Sequence, residues 1–217
     1  MTSNLLILGA GGHARVVAET ALSSGAFSGV AFLDDNPSCS DAACTSASGA
    51  VLGPLALALD ASTRQQFGAA CVGIGDARTR LHWLARLQQA GYALPVILHP
   101  RAWVAPSAVI GPGSVVFAQA AVQTQAQLGA GVIVNTGSTI DHDAVLADGV
   151  HICPGAHLAG QVQVGACSWI GIGASVIQQL RIGSAVTVGA GAAVVRDLPD
   201  GVTAVGVPAR ILSRSPS

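Results

Sequence analysis

The chain contains no lysine, and its ten arginines form no basic run. The formal net charge is −1, and at 4 % the aromatic residues are too few to alternate with basic ones along any segment. Proteins that bind nucleic acid are typically rich in such basic and aromatic surfaces, because they pair with phosphates and stack on bases. We therefore expect no nucleic-acid partner.

Long apolar runs are also missing, although 51 % of the residues are hydrophobic. Glycine and polar residues interrupt every apolar stretch well before the 18 or more residues of a transmembrane helix. The start of the chain, Met1-Thr-Ser-Asn, lacks the basic segment of a signal peptide. We therefore expect no membrane association, and we attribute the high hydropathy to flat faces that are buried against other subunits.

Cysteine spacing excludes two further classes of protein. The five cysteines are Cys39, Cys44, Cys71, Cys153 and Cys167. They are odd in number and form no Cys-x-x-Cys pair, so neither a zinc site nor a disulfide framework is expected. Ordinary small residues in a reducing compartment, the cytoplasm, are the natural interpretation.

A strict period of six residues organises the second half of the chain. Every sixth residue from Val104 to Val194 is Val, Ile or Leu, sixteen times in succession. A strand repeats every two residues and a helix every 3.6, so neither sustains this period. A second series of small or aliphatic residues runs four positions later, from Ala108 to Leu198. The pattern predicts a hexapeptide-repeat β-helix, in which each coil buries its inward residues by stacking on the next.

The first half of the chain alternates apolar strands with helical segments, which predicts a parallel α/β sheet. The predicted strands are residues 4–8, 30–33, 71–75 and 96–98. One helix is predicted directly after the glycine turn that follows the first strand, and a second helix is predicted over about residues 77–90. Asp76 is the expected N-cap of the second helix. We place the domain boundary between residues 98 and 99, with a Rossmann-like unit over 1–98 and the β-helix over 99–217.

A glycine turn, Gly9-Ala-Gly-Gly-His-Ala14, stands between the first strand and the first helix. It allows phosphate groups to approach the helix N-terminus, where free N–H groups and the helix dipole favour anions. Asp34 and Asp35 end the second strand, where a carboxylate can accept from a ribose or a base. Uracil, thymine and guanine all carry suitable N–H groups. The unit is short for a full dinucleotide-binding domain, so a nucleotide sugar fits better than NAD; a tight turn with solvated acids is the alternative.

Three histidines, His142, His151 and His157, occupy neither inward series of the repeat, so they should point outward. Asp141 and Asp143 flank His142. A carboxylate beside an imidazole orients the ring and raises its basicity, as a general base requires. A solvated polar turn is the alternative interpretation for each histidine.

The spacing of the histidines predicts where the site lies. His142 and His151 are nine residues apart, which is half of an 18-residue coil, so they cannot easily share a site within one subunit. They converge if β-helices pack side by side around a threefold axis, and our hypothesis is an active site in a cleft between subunits. Three zinc ligands must converge on one ion, and spacings of nine and six residues do not allow this. We expect no metal.

Taken together, residues 4–212 resemble the bacterial hexapeptide-repeat acyltransferases that N-acetylate nucleotide-linked 4-amino-4,6-dideoxy sugars of the bacillosamine or perosamine type. The motifs are Gly9-Ala-Gly-Gly-His-Ala14, Leu33-Asp-Asp35, Gly73-Ile-Gly75, Asn135-Thr-Gly-Ser-Thr-Ile-Asp-His-Asp143, Val150-His151, Pro154-Gly-Ala156, Ala159-Gly160, Gly171-Ile-Gly173 and Gly206-Val-Pro-Ala-Arg210. The resemblance implies a Rossmann-like half domain followed by a left-handed parallel β-helix. It also implies a homotrimer, acetyl-CoA as cosubstrate, and a role in surface glycan or O-antigen synthesis.

The resemblance also implies roles for individual residues. It assigns the nucleotide sugar to Gly11, Gly12, His13, Asp34, Asp35 and Gly75, catalysis to His142 and Asp143, and acetyl-CoA to His151, Ile172 and Ala190. Relatives often carry glutamate in place of Asp143 and glycine in place of Ala190. O-acetylation of sialic acid or another sugar, a non-catalytic role in binding nucleotide sugars, and an NAD-linked activity remain alternatives.

Overall fold

The computed structural model describes residues 3–36 and 49–212. Contacts divide the chain into two compact units, residues 1–100 and 101–217. Cys39 and Cys44 lie outside the described residues. No helix among the described residues has the length and apolar character needed to cross a membrane.

A three-stranded parallel sheet forms the centre of the first unit, in the order β2-β1-β3. The elements are β1 (Ser3–Leu8), α1 (Gly12–Ser23), β2 (Phe27–Leu33), a 3-10 turn (Leu55–Leu59), α2 (Ala61–Gln66), β3 (Ala69–Val72), α3 (Ala77–Gln89) and β4 (Ile97–Leu98). Residues 5–8 are fully buried, as expected for a central parallel strand covered on both faces. The parallel α/β sheet is thus confirmed.

Two local predictions in this unit have different outcomes. Asp76 caps α3 by accepting from the backbone N–H of Thr79 at 2.8 Å, as predicted. The predicted fourth strand exists as β4 but does not belong to the three-stranded sheet. Ala93 instead forms a single parallel bridge with Ala69 at that edge. Pro95 follows two residues later, and its missing N–H prevents a longer ladder there.

The described part of the second unit begins with sixteen strands of two residues each. They are β5 (Trp103–Val104), β6 (Val109–Ile110), β7 (Val115–Val116), β8 (Ala121–Val122), β9 (Gln127–Leu128), β10 (Ile133–Val134), β11 (Thr139–Ile140), β12 (Val145–Leu146), β13 (His151–Ile152), β14 (His157–Leu158), β15 (Gln163–Val164), β16 (Trp169–Ile170), β17 (Ser175–Val176), β18 (Arg181–Ile182), β19 (Thr187–Val188) and β20 (Ala193–Val194). Two further strands, β21 (Thr203–Val205) and β22 (Arg210–Ile211), complete the unit.

Each strand from β5 to β17 pairs in parallel with the strand three places later, so that residues 18 apart lie side by side, as Ile133 and His151 do. This stacking produces three flat faces. The first face carries β7, β10, β13, β16 and β19; the second carries β5, β8, β11, β14, β17 and β20; the third carries β6, β9, β12, β15 and β18. The predicted β-helix with 18-residue coils is confirmed.

Both predicted inward series are buried over most of the β-helix, as Ile140 and Ala144 illustrate at 0 % exposure. The first coil, with Val104 and Ala108, is only half-buried, because within this unit a coil covers it on one side only. The strands are separated by corners. Three residues after each large aliphatic, from Gly113 to Gly191, the backbone has a positive φ. Sequence analysis did not identify this third series.

Candidate active site

His142 lies at the corner between the second and third faces, directly after β11. Ile140 and Ala144 on either side point into the core and are fully buried. The three residues between them must therefore form the outer turn of the corner. The side chains of His142 and Asp143 are 49 % and 50 % exposed, so a substrate can reach the imidazole.

The two aspartates hold His142 from both sides. Nδ1 of His142 lies 2.7 Å from Oδ2 of Asp143, and Oδ1 of Asp141 accepts from the backbone N–H of His142 at 2.7 Å. Asp143 occupies the positive-φ position of the corner, with φ of 58°, a conformation that aspartate tolerates better than most residues. The hydrogen bond to Asp143 raises the pKa of His142 above its ordinary value. It also places the proton on Nδ1, so that Nε2 carries the free lone pair.

Gly160 lies one coil after His142 and contacts the imidazole. A methyl group added at Gly160 would overlap Nε2 of His142. The missing side chain therefore provides the space in which the ring lies. The backbone N–H of Gly160 makes no hydrogen bond with any described residue.

His151 lies on the first face, in β13, between Ile133 and Trp169 of the neighbouring coils. Its Nε2 is 3.3 Å from Nδ2 of Asn135, and its ring meets that of Trp169 edge to face at 6.4 Å between centroids. Sequence analysis did not single out Asn135 and Trp169 as neighbours of His151. Asn135 lies 16 residues before His151 and Trp169 lies 18 residues after it. Because one coil has 18 residues, these spacings could have identified both residues as neighbours of His151.

Ile172 and Ala190 are stacked one coil apart at the corner between the first and second faces. The carbonyl of Ile172 accepts from the N–H of Gly191 at 2.8 Å, and Ile172 is 55 % exposed. The structure thus brings Ile172 and Ala190 together, next to the face that carries His151. It does not bring His142 to them, because its corner is the one opposite the first face, as the nine-residue spacing predicted.

A groove of about 480 Å³ lies on the second face, between these two corners. Its lining residues are Gln123, Thr139, Asp141, His157, Leu158, Ala159, Ser175, Val176, Ile177 and Gln178. Nδ1 of His157 lies 2.9 Å from Oγ1 of Thr139, so His157 is part of this groove. His142 is at its edge, next to Asp141.

The glycine turn in the first unit leaves the N-terminus of α1 open. Gly9 has a φ of 95° and donates to the carbonyl of Leu33 at 2.7 Å. Gly11 is the N-cap residue and Gly12 is the first residue of the helix, and no side chain caps this end. A methyl group added at Gly11 would meet no atom within 4 Å. The first N–H groups of α1 can therefore bind an anion.

Asp34 and Asp35 both accept hydrogen bonds from the backbone. Asp34 accepts from the N–H of Ala10 at 2.6 Å through Oδ2 and from that of Asn36 at 2.8 Å through Oδ1. Asp35 accepts from the N–H of Leu55 at 2.8 Å through Oδ1. Asp34 thus ties the end of β2 to the glycine turn.

His13 is half-buried in the first turn of α1. Burial and, to a lesser extent, the nearby positive charge of Arg80 lower the pKa of His13 to about 4. His13 is therefore neutral at pH 7 and contributes no positive charge to a phosphate site. It can still act as a neutral hydrogen-bonding group.

Arg80 is a residue of this region that sequence analysis missed. It is 1 % exposed, and its Nη1 donates to the carbonyls of Ile74 and Gly75 at 2.9 and 2.7 Å. These bonds hold the chain after β3, including the predicted site residue Gly75, in place. A buried arginine on an amphipathic helix has no distinctive sequence signal, since most arginines are exposed.

No group of three or more His, Cys, Asp or Glu side chains among residues 3–36 and 49–212 could hold a metal ion. Cys71 and Cys153 are buried, and desolvation raises the pKa of each thiol to about 12, so neither is a thiolate at neutral pH.

Residues 4–87 match the family of the PglD N-terminal domain. The chain is 44 % identical to the acetyltransferase domain of PglB from Neisseria gonorrhoeae FA1090, solved in complex with acetyl coenzyme A, with a TM-score of 0.91 over 98 % of this chain and 100 % of that one. A search of curated protein sequences finds no match.

Two further solved structures are similar over nearly the whole chain. Perosamine N-acetyltransferase from Caulobacter crescentus, solved as a mutant in complex with CoA and GDP-perosamine, is 36 % identical with a TM-score of 0.90, covering 99 % of each chain. WeeI from Acinetobacter baumannii AYE is 27 % identical with a TM-score of 0.86, covering 97 % of this chain and 100 % of that one.

Proposed function

Because the chain belongs to the hexapeptide-repeat family of sugar N-acetyltransferases, we propose that it transfers the acetyl group of acetyl-CoA to the 4-amino group of a nucleotide-linked 4-amino-4,6-dideoxy sugar. The observation that carries this proposal is the exposed imidazole of His142 with its 2.7 Å hydrogen bond to Asp143. A β-helix has no structural need for such a pair at its corner.

His142 serves as the general base in this proposal. Its Nδ1–H is held by Asp143, and Nε2 accepts a proton from the sugar amine as the amine nitrogen attacks the thioester carbonyl. The tetrahedral intermediate then expels CoA as a thiolate, which takes up a proton. The backbone N–H of Gly160 is our candidate donor for the developing oxyanion, since it makes no hydrogen bond with the described residues and its residue contacts Nε2.

The substrates are assigned to the two units. The N-terminal unit holds the nucleotide sugar through the turn at Gly11, Gly12 and His13, with Asp34, Asp35 and Gly75 at the neighbouring strand ends. The β-helix holds acetyl-CoA through His151, Ile172 and Ala190. The open N-terminus of α1 and the paired position of Ile172 and Ala190 support these assignments.

The active enzyme is a homotrimer in this proposal, with each site formed by two subunits. His142 stands at one edge of the second face, and Ile172 and Ala190 stand at the other edge. When second faces pack around a threefold axis, the His142 corner of one subunit meets the Ile172 corner of the next. The groove on the second face supplies space for the substrates.

We also assign the protein to the cytoplasm. Cys71, Cys153 and Cys167 are free thiols, which is consistent with a reducing compartment.

Release of the CoA thiol from acetyl-CoA tests the function, with a panel of UDP-, dTDP- and GDP-linked 4-amino-4,6-dideoxy sugars as acceptors. We expect turnover with at least one of them, and a loss of about 10²–10⁴-fold in His142→Ala. His82→Ala, which removes an exposed histidine on α3, is the matched control and should keep full activity. No turnover by the folded wild-type protein on the whole panel would contradict the proposal, and transfer to a hydroxyl of a free sugar would replace it with O-acetylation.

A further inference from the structure

Asp141 is the one carboxylate among the described residues that line the groove on the second face. None of these lining residues is an arginine, and the chain contains no lysine. The other titratable side chain of the lining is His157, whose Nδ1 lies 2.9 Å from Oγ1 of Thr139. No basic side chain of the described lining therefore neutralises the charge of Asp141.

The side chain of Asp141 points into the groove because of its place in the coil. Thr139 and Asp141 stand on either side of Ile140, which is fully buried in the core of the β-helix. Successive side chains of a strand point to opposite faces, so Thr139 and Asp141 both point outward, and both line the groove. Asp141 is half-buried there, so its carboxylate is partly shielded from water.

One of the two carboxylate oxygens of Asp141 remains for a ligand. Oδ1 accepts from the backbone N–H of His142 at 2.7 Å, and this bond fixes the orientation of the carboxylate. No described residue donates a hydrogen bond to Oδ2. Asp143, in contrast, is bonded to the ring of His142. Asp141 is therefore the carboxylate of this corner that can bind a substrate.

The groove places Asp141 close to the reacting nitrogen of His142. Ala159 lies one coil after Asp141 and lines the same groove. The next residue, Gly160, is the one that contacts Nε2 of His142. The charge of Asp141 also acts on the imidazole: after the hydrogen bond to Asp143, and against the opposing effect of desolvation, it helps to raise the pKa of His142. A group that contacts Nε2 therefore lies in the field of Asp141.

A carboxylate at this position favours an amine over a hydroxyl as the acceptor. A primary alkyl amine is largely a cation at neutral pH, as the lysine side chain is, and its ammonium form has three N–H donors. A hydroxyl is uncharged and has one donor. Hydrogen bonds between ionised groups are roughly twice as strong as those between neutral groups. The amine therefore gains more from Oδ2 of Asp141 than the hydroxyl does.

We propose that Asp141 selects the acceptor: its carboxylate binds the ammonium group of the sugar in the groove and holds the nitrogen beside Nε2 of His142. The inference rests on the proposed function, because that function supplies the amino sugar. It makes the site an N-acetylation site and disfavours O-acetylation.

The protons of the ammonium group balance in this sequence. The ammonium releases one proton to solvent and becomes the free amine, which still donates a hydrogen bond to Asp141. Nε2 of His142 accepts a second proton as the amine nitrogen attacks the thioester carbonyl, and this proton passes to the CoA thiolate. Each ammonium consumed thus gives one amide, one CoA thiol and one proton.

Calorimetric titration of the full-length protein without acetyl-CoA tests the selection and requires no turnover. The probes are pairs of nucleotide sugars. Each pair consists of a UDP-, dTDP- or GDP-linked 4-amino-4,6-dideoxy sugar and the same sugar with a hydroxyl in place of the amine. We expect the wild-type protein to bind the amino member of at least one pair about 10- to 100-fold more tightly than the hydroxyl member.

Asp141→Asn removes the charge and retains the local bond, because the asparagine oxygen can still accept from the N–H of His142. We expect the amino member to lose its advantage and the affinity for the hydroxyl member to change less than about threefold. Asp148→Asn is the matched control. Oδ1 of Asp148 also accepts a backbone N–H, that of Ala130 at 2.8 Å, and its side chain is exposed outside the groove. This control should alter neither affinity.

Steady-state kinetics separate substrate binding from a structural role. Asp141→Asn should raise the KM of the amino sugar about tenfold or more and change the KM of acetyl-CoA less than about threefold. A role limited to the shape of the corner would weaken both members of a pair alike.

Four results would overturn the inference: equal binding of the two members of every pair by the wild-type protein, no binding of any pair, a preference for the amine that persists in Asp141→Asn, or an equal loss for both members in that variant. Acetyl transfer to an amino sugar with the preference intact in Asp141→Asn would overturn the role of Asp141 and leave the proposed function standing. A preference that depends on Asp141, without acetyl transfer to any sugar of the panel, would support the ammonium site and contradict the proposed reaction.

Discussion

Nδ1 of His142 and Oδ2 of Asp143 are 2.7 Å apart, although the two residues are adjacent in the chain. The positive φ of Asp143 allows this pairing, because it lets the carboxylate return to the preceding ring. The corner of the β-helix thus provides both the turn and the base.

Replacing Asp143 with asparagine should lower the pKa of His142 toward its ordinary value. The hydrogen bond to Asp143 is the largest cause of the raised pKa, and the base must be unprotonated to act. The acid limb of the pH profile of kcat/KM should therefore move to lower pH. The maximal rate should fall about tenfold or more. Asparagine tolerates positive φ, so the corner should be retained.

Asp141→Asn is the matched control for this prediction. Asp141 bonds the backbone N–H of His142 and not its ring, and asparagine can keep that bond. The acid limb of the pH profile of kcat/KM should therefore move less in Asp141→Asn than in Asp143→Asn. Equal shifts in the two variants would show that general negative charge, and not the hydrogen bond, sets the pKa of His142.

Gly160→Ala should reduce activity with little effect on stability. The added methyl would overlap Nε2 of His142. Because this ring is exposed and can move aside, the substitution should displace the imidazole and leave the free energy of unfolding nearly unchanged. We expect a loss of kcat of about 100-fold, because a displaced base no longer reaches the amine. Gly68→Ala, where a methyl group meets no atom within 4 Å, is the control. An active Gly160→Ala enzyme would show that the ring need not lie over this residue.

Mixed trimers should test the shared site. His142→Ala and Ala190→Trp should each be nearly inactive, because one lacks the base and the other blocks the acetyl-CoA corner. If each site takes His142 from one subunit and Ala190 from the next, unfolding and refolding the two variants together in equal amounts should restore about a quarter of wild-type activity. Activity that stays at the level of the separate variants would place both residues of each site in one subunit.

The stability of the N-terminal unit should decrease as the pH falls from 6.5 toward 4. Burial and Arg80 lower the folded-state pKa of His13 to about 4, so between these values the unfolded chain binds more protons than the folded one. The contribution of His13 to the free energy of unfolding is fully present above pH 6.5. It is lost as the pH falls from 6.5 to 4, by about 3 kcal/mol in total. Urea unfolding followed by tryptophan fluorescence should measure it in a variant that carries Trp103→Phe and Trp169→Phe, so that only Trp83 of the N-terminal unit remains.

His13→Asn should remove this part of the pH dependence, and His82→Asn, at an exposed position, should retain it. If the wild-type protein and the His13→Asn variant lost stability in parallel between pH 6.5 and 4, His13 would not be the group responsible for the pH dependence.

The sequence pattern was sufficient to predict the coil of the β-helix and several local elements. The six-residue series predicted the β-helix because its core must receive one large and one small residue at every face. Asp76 predicted the start of α3 because capping involves only the N–H groups of the next turn. The outward position and flanking carboxylates of His142 followed from the same register.

Contacts between distant segments were decided only by the tertiary structure. Gly160 meets His142 because two coils stack, and Arg80 is buried beside the segment that follows β3, where it donates to the carbonyls of Ile74 and Gly75. Residues 51–54 line a cavity at the carboxyl end of β2 because they pair with the edge of that strand. None of these contacts could be predicted from the neighbouring sequence, because their energy depends on which distant segments become neighbours in the fold. Local periodicity therefore determined the elements, and packing between them determined the surroundings of each functional group.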